Sequence, residues 1–277
     1  MNSFLLLIAA TAMADPVATN IPPVALAAEP PAEIFNLSAR EIVDRGQELL
    51  RGVKSSRVVV AMTLARPSYR REIEVESYHL GREKSFLVAR KPAKEKGNRT
   101  LRIKQDIWTY SRDAEQVMKV PFSMMHSSWM GSDFTYEDMV KLDTFVTDYT
   151  QRFLSKIPDP QKRSDWLVVI ELLPKEDAPV VWGKVLWSAV VSSDGREVLP
   201  VLEQDFNERG EIIREIKLDQ IKVLGGRRMP TLLTCEPMKK KDSKTILEYK
   251  EAIFDLDLKA KIFTKETLER GLGDGKI

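Results

Sequence analysis

From Arg57 onward, apolar and polar residues alternate with a period of two, and short polar or glycine-containing turns break the alternation at intervals. That pattern marks extended strands with one face in a core. Residues 58–65 are apolar on both faces, which predicts a strand covered on both sides. Residues 70–79 instead set Glu72, Glu74 and Glu76 against Ile73 and Val75, which predicts one wet face. Further strands are predicted at 84–91, 99–104, 106–110 and 116–120, and after a break at 166–173, 181–191, 197–206, 211–218, 229–235 and 244–255. Arg66-Pro67-Ser68, Leu80-Gly81, Lys94 to Asn98, Ser193-Asp194-Gly195 and Asn207 to Gly210 sit where hairpins would reverse. Roughly ten to twelve strands follow, mostly in sequence-adjacent pairs. The repeated strand–helix–strand rhythm of a parallel sheet is missing. A meandering antiparallel sheet rolled into an incomplete barrel leaves the fewest open edges, so the fold class read from the pattern is mainly β.

Three stretches change to a helical period. Ser38 with Glu41 three residues on is a capping box, and Leu37 with Ile42 forms a hydrophobic staple around it. Ile42, Val43, Leu49, Leu50 and Val53 then recur on one face, and the helix is expected to end near Gly52. A second helix is predicted from Thr135, with Asp138 in the capping-box position, Phe134 stapled to Met139, and Glu137 and Asp138 suited to the positive end of the helix dipole. Thr264 to Arg270 repeats the stapled cap through Phe263 and Leu268, and 271–277 reads as a polar, glycine-rich disordered tail.

The stretch Pro121 to Phe134 fits neither period. It packs Phe122, Met124, Met125, Trp129 and Met130 into an irregular loop. Methionine is flexible and polarizable and adapts to ligands of varied shape, so this loop reads either as a gate over an apolar cavity or as a satellite core under a long loop.

The N-terminus adds a compartment. Phe4 to Ala14 is an apolar run too short to span a bilayer and reads as an export signal, with cleavage after Ala14 or, preferred here, after Ala28. Met1-Asn2-Ser3 lacks the usual basic residue. The expected organisation is a signal peptide at 1–28, one domain at 32–270 and the tail at 271–277. Cys235 is the single cysteine, so no intramolecular disulfide forms and no lipid-bearing cysteine follows the signal. A soluble periplasmic protein is expected, with a monomer as the simplest assembly. Lysine and arginine number 43 against 41 for aspartate and glutamate, so no global field recruits nucleic acid.

Candidate chemistry is sparse. The two histidines, His79 on a strand and His126 in the loop, with one cysteine, make a transition-metal site improbable. His126 beside Ser127 and Ser128 lacks the G-x-S-x-G elbow of a hydrolase. Asp133, Glu137 and Asp138 are explained by capping. Gly225-Gly226-Arg227-Arg228 reads as a turn into a strand, not a phosphate loop. The run Lys239-Lys240-Lys241 with Lys244 reads as a solvated hairpin tip, with contact to anionic headgroups as the alternative. Trp182 and Trp187 lie five apart on one predicted strand and are expected to face opposite sides. No enzyme activity and no cofactor is expected.

Ser128-Trp129-Met130-Gly131-Ser132-Asp133-Phe134-Thr135-Tyr136-Glu137-Asp138-Met139, after a strand ending Val117-Met118-Lys119-Val120-Pro121, resembles the signature of the outer-membrane lipoprotein-sorting protein family, relatives of the periplasmic lipoprotein carrier. Ile107-Trp108-Thr109-Tyr110 and Arg227-Arg228-Met229-Pro230 add to the similarity, which runs from about Ala32 to the C-terminus. The resemblance implies an incomplete antiparallel β-barrel with a helical lid over an apolar cavity for acyl chains. Trp108, Tyr110, Phe122, Met124, Met125, Trp129, Met130, Phe134 and Met139 are the expected cavity and lid residues. It also implies an arginine that holds the lid shut, without assigning it a position. The expected function is carriage of lipid or lipoprotein acyl chains across the envelope, between an inner-membrane exporter and an outer-membrane acceptor. The alternative is a non-catalytic adaptor or sensor working with an exporter.

Overall fold

The two ends of the strand series meet in the middle of one sheet. The computed structural model describes residues 33–273 apart from 53, 163 and 181. The expected signal at 1–28, and residues 274–277 of the expected tail, lie outside them. A two-residue ladder, β1 (Glu33–Ile34) with β2 (Leu37–Ser38), leads into α1 (Ala39–Arg51). Then come β3 (Ser55–Arg66), β4 (Tyr69–Leu80), β5 (Lys84–Lys91), β6 (Arg99–Ile103), β7 (Asp106–Ser111) and β8 (Gln116–Lys119). After α2 (Glu137–Thr147) follow β9 (Tyr149–Pro158), β10 (Trp166–Pro174), β11 (Val185–Val191), β12 (Val198–Phe206), β13 (Ile212–Leu224), β14 (Arg227–Pro237) and β15 (Lys244–Phe254), and last α3 (Lys265–Arg270).

The main sheet has 13 antiparallel strands in the order β8-β7-β6-β5-β4-β3-β15-β14-β13-β12-β11-β10-β9. Each half is a meander, and β3 joins them by pairing with β15. The free edges are β8 and β9, which follow each other in sequence, so the sheet is an incomplete barrel. The chain from Val120 to Asp148, including α2, has to travel from one edge to the other. A helical lid over the concave face is therefore a consequence of the topology.

Strand parity assigns the faces. Val60, Met62 and Leu64 pair with Val75, Ile73 and Arg71 and share the concave side with Leu247 and Tyr249. At the β9–β12 end this face is filled by Ile42 and Val43 of α1 and by Phe145 and Val146 of α2, packed on Phe153, Ile170, Trp187 and Val198. Ile42 and Val43 have no exposed surface, and burying such side chains contributes roughly 1.5–3 kcal/mol each. Ser38 caps α1 as a full capping box: Glu41 N–H donates to its Oγ at 3.2 Å and Ser38 N–H donates to the Glu41 carboxylate at 2.8 Å. On the convex side, residues from Leu256 to Leu272 cover Tyr78, Phe86, Leu101 and Trp108. The β13–β14 reversal is a two-residue hairpin in which Gly225 (φ 58°) and Gly226 (φ 79°) both adopt the left-handed region that favours glycine.

Several expectations change. The pattern missed β9, whose alternation of Tyr149 and Phe153 is broken by a register shift opposite Val169 and Ile170. Glu76 is fully buried rather than wet, because Arg57 at 2.5 Å and Arg90 close over it from the flanking strands. The predicted strand 181–191 starts only at Val185, although Gly183 N–H still donates to Phe206 O of the neighbouring strand at 3.1 Å. Trp182 therefore lies off the strand, and both Trp182 and Trp187 pack on the same core cluster. At α2, the helix begins at Glu137. Asp138 still reaches back, accepting from Thr135 N–H at 2.6 Å.

Candidate ligand cavity

The segment that crosses the open mouth is pinned by side chains of the strands beneath it. Asp133 is the central pin. Its carboxylate takes a hydrogen bond from Thr245 Oγ1 at 2.7 Å and an ion pair from Arg66 at 3.0 Å, and Lys240 of the lysine-rich tip stands 3.6 Å away. Ser132 Oγ closes the local turn onto Trp129 O at 2.7 Å. Arg71 of β4 donates to Met130 O, and Trp129 Nε1 donates to Thr100 Oγ1 of β6 at 3.2 Å. These bonds satisfy buried polar groups that would otherwise cost ~1–3 kcal/mol each.

α2 is held separately. Arg214 of β13 is buried, donates from Nε to Asp205 at 2.7 Å, and from Nη1 to Asp138 at 2.8 Å and to Asp133 O at 2.9 Å. Its guanidinium lies 4.4 Å from the Trp182 ring centroid. Burial penalises the charge, but Asp138 and Asp205 outweigh it and keep the group protonated, with a pKa well above the ordinary arginine value.

Beneath these pins lies a cavity of about 240 Å³. Its floor is the middle of the sheet, with Val60, Met62, Val75, Leu87, Leu233 and Leu247. Its roof is Leu50 of α1 with Trp129, Phe134 and Met139 of the lid. Burial pushes the Tyr249 hydroxyl on the floor up to about 12, so it stays neutral. Polar groups collect at one end: Gln47 and Arg51 from α1, Ser77 and His79 from β4, and Ser85 from β5. His79 has its pKa lowered to about 4 by burial and by the nearby Arg102 and Arg51 charges, so its ring is neutral at pH 7. Among the described residues, no group of three or more metal-ligating side chains occurs.

The expected cavity residues are dispersed. Trp129, Phe134 and Met139 line the cavity. Met130 borders a neighbouring pocket together with Tyr110. Met125 is buried with Ile107, Val120 and Val140 beneath the lid. Phe122 and Met124 are exposed. Trp108 lies on the convex face, under the C-terminal segment, with Lys265 Nζ 4.7 Å from its ring. Tyr110 shares that convex cluster and stacks on Arg99 at 4.0 Å. Sequence reasoning missed Gln47, Arg51, His79 and Arg214 as site residues; His79 was noted only as a strand residue.

A family model whose description reads "-like: Uncharacterized protein" matches residues 81–270, more than half of the chain. Among solved structures, a LolA superfamily protein from Nitrosomonas europaea superposes with a TM-score of 0.68 at 22% identity, covering 84% of this chain and 100% of that one. A DUF1329 family protein from Desulfovibrio piger gives 0.72 at 18%, covering 83% and 97%. The chain belongs to the LolA-like family. A domain from Vibrio parahaemolyticus described as an outer membrane lipoprotein-sorting protein shares the LolA-like fold as well, with a TM-score of 0.66 at 17% identity over 82% of this chain and 100% of that one. No curated protein matches. In this LolA-like fold three arginines of the sheet tie down the lid: Arg214 through Asp138, Arg66 through Asp133 and Arg71 through Met130 O.

Proposed function

We propose that this protein carries acyl chains of a lipid or lipoprotein in the lidded cavity, moving them through the periplasm between an inner-membrane exporter and an outer-membrane acceptor, with residues 1–28 directing export. The observation that carries the reading is the largely apolar cavity between the concave sheet and the Trp129–Met139 lid. Shielding an acyl chain from water is worth about 0.8 kcal/mol per buried methylene. At about 240 Å³ the cavity is below the ~300–1,000 Å³ of ordinary ligand pockets. Loading therefore widens it, and the movable walls are the lid and α1, because the remainder is hydrogen-bonded sheet.

Native mass spectrometry of protein purified gently from periplasm tests this reading. A co-purifying acyl lipid is expected. A cavity that stays empty, with no binding of an added fluorescent fatty acid, would sink the carrier reading in favour of the adaptor. Val60→Phe, which fills the floor, is expected to weaken fatty-acid binding about ten-fold while leaving the melting temperature within a few degrees.

A further inference from the structure

The hairpin of β14 and β15 brings a dense basic run to the rim of the lid. Its tip holds Lys239, Lys240 and Lys241, with Lys244 where β15 begins, and all four are exposed. Among the described residues, Lys239, Lys241 and Lys244 form no ion pair. The hairpin of β3 and β4 reverses beside this tip, because Lys244 pairs with Ala65, and it adds the exposed Tyr69 and Arg70. Met238, also exposed, heads the run, with its N–H donated to Ile213 O at 2.8 Å. Asp242 is the acid within the run, and the next reversal along, at 207–211, sets Arg209 against Glu208 and Glu211. The end of the sheet next to the lid is therefore cationic, with a tyrosine and a methionine standing out among the charges.

One lysine of the run also reaches the lid. Lys240 Nζ stands 3.6 Å from Asp133 Oδ1, an oxygen that accepts no hydrogen bond from the described residues, on a side chain only 1% exposed. The same strand ends hold Asp133 in two further ways. Arg66 pairs with its carboxylate at 3.0 Å while donating to Lys244 O at 2.7 Å, and Thr245 Oγ1 accepts Asp133 N–H at 3.0 Å. From this juxtaposition we propose that the hairpin tip docks on an anionic phospholipid surface, and that headgroups drawing Lys240 away from Asp133 loosen the lid there. Each lysine close to an anionic bilayer tightens binding about five-fold, and an exposed tyrosine suits the interfacial layer beside them. A buried carboxylate that loses one of its two cations is held less firmly, while Arg66 and Thr245 keep the lid from unfolding. The docking step does not depend on what the cavity holds; the lid step adds to the carrier reading a place where the cavity opens.

Flotation of the protein with vesicles tests the docking step, comparing phosphatidylcholine alone with an equal mixture of phosphatidylcholine and phosphatidylglycerol. Binding is expected to the mixture only, to weaken as salt rises, and to fall roughly 100-fold in the triple variant Lys239→Gln/Lys240→Gln/Lys241→Gln. The lid step is read at Cys235, whose thiol lies 3.6 Å from Asp133 O. The mixed vesicles are expected to quicken its labelling by a thiol reagent about three-fold, and phosphatidylcholine vesicles to leave it unchanged. Without vesicles, Lys240→Gln is expected to quicken labelling more than Lys239→Gln or Lys241→Gln does. Equal binding to both kinds of vesicle, or binding that survives the triple substitution, overturns the docking surface. Tighter binding of soluble polyglutamate than of the mixed vesicles overturns the bilayer in favour of an acidic protein. Docking with unchanged Cys235 labelling, or equal labelling of the three single variants, overturns the coupling to the lid. A cavity that binds no acyl ligand sinks the carrier reading and leaves the docking surface standing.

Discussion

Arg214 on β13 donates to Asp138 on α2 at 2.8 Å from a side chain only 3% exposed, so a single buried charge ties the lid helix to the sheet. Removing one partner leaves the other desolvated, and a broken buried pair typically costs about 3–5 kcal/mol. Arg214→Met is expected to lower stability by that order, because Asp205 is stranded as well. Asp138→Ala should cost less, since Asp205 still compensates the guanidinium. The two substitutions are expected to couple by ~1–3 kcal/mol in a double-mutant cycle read by urea unfolding. Strict additivity would show that the contact does not hold the lid.

Cys235 reports on the same latch from below. Its thiol is buried with Phe134 and lies 3.6 Å from Asp133 O, and burial pushes its pKa up, out of the reactive range. In the native protein it is expected to resist thiol reagents. Asp138→Asn, which loosens the lid without emptying the core, should accelerate labelling more than the fall in global stability accounts for. Labelling that tracks global unfolding alone would mean the lid does not open independently.

The strands were legible because alternation is a local property, and both outer helices because their caps are spelled in four residues. The faces were not. Trp108 and Tyr110 look like cavity aromatics, yet a strand with two apolar faces takes its direction from what covers each side, here the segment from Leu256 to Leu272. The latch was hidden for a related reason: Arg214 sits in a strand of alternating charges, and only the return of β13 beneath α2 makes it a buried partner. Arg51 and His79 lie far apart in sequence, and their meeting depends on the register of β3 with β4.

Gly46 sets how closely α1 approaches the sheet. A Cβ there would come within 2.6 Å of two Trp187 ring atoms and 3.1 Å of Pro200. Alanine gains about 1 kcal/mol of helix propensity over glycine. Against this stands overpacking of a ring only 1% exposed, typically ~1–3 kcal/mol. The clash is expected to win, so Gly46→Ala should lower the melting temperature and shift Trp187 emission. A rise in melting temperature would show that α1 can lift off the sheet at little cost.

His79 makes stability depend on pH in a definite direction. Its accessible surface faces the cavity rather than bulk water, and its pKa falls from the ordinary 6.5 to about 4 through burial, Arg102 and Arg51. Below pH 6.5 the unfolded chain takes up a proton at this ring that the folded chain refuses, so the unfolded state gains. The stability associated with the neutral ring is therefore complete above pH 6.5 and lost progressively as pH falls towards 4, by up to about 3 kcal/mol. Carboxylates add their own acid dependence, so the informative quantity is the difference between wild type and His79→Gln. Urea unfolding at pH 7.5, 5.5 and 4.5 is expected to give a steeper loss for the wild type, with the two proteins converging at the acid end. Parallel curves would mean that the ring is protonated as readily in the cavity as in the unfolded chain, and that the field of the two arginines does not reach it.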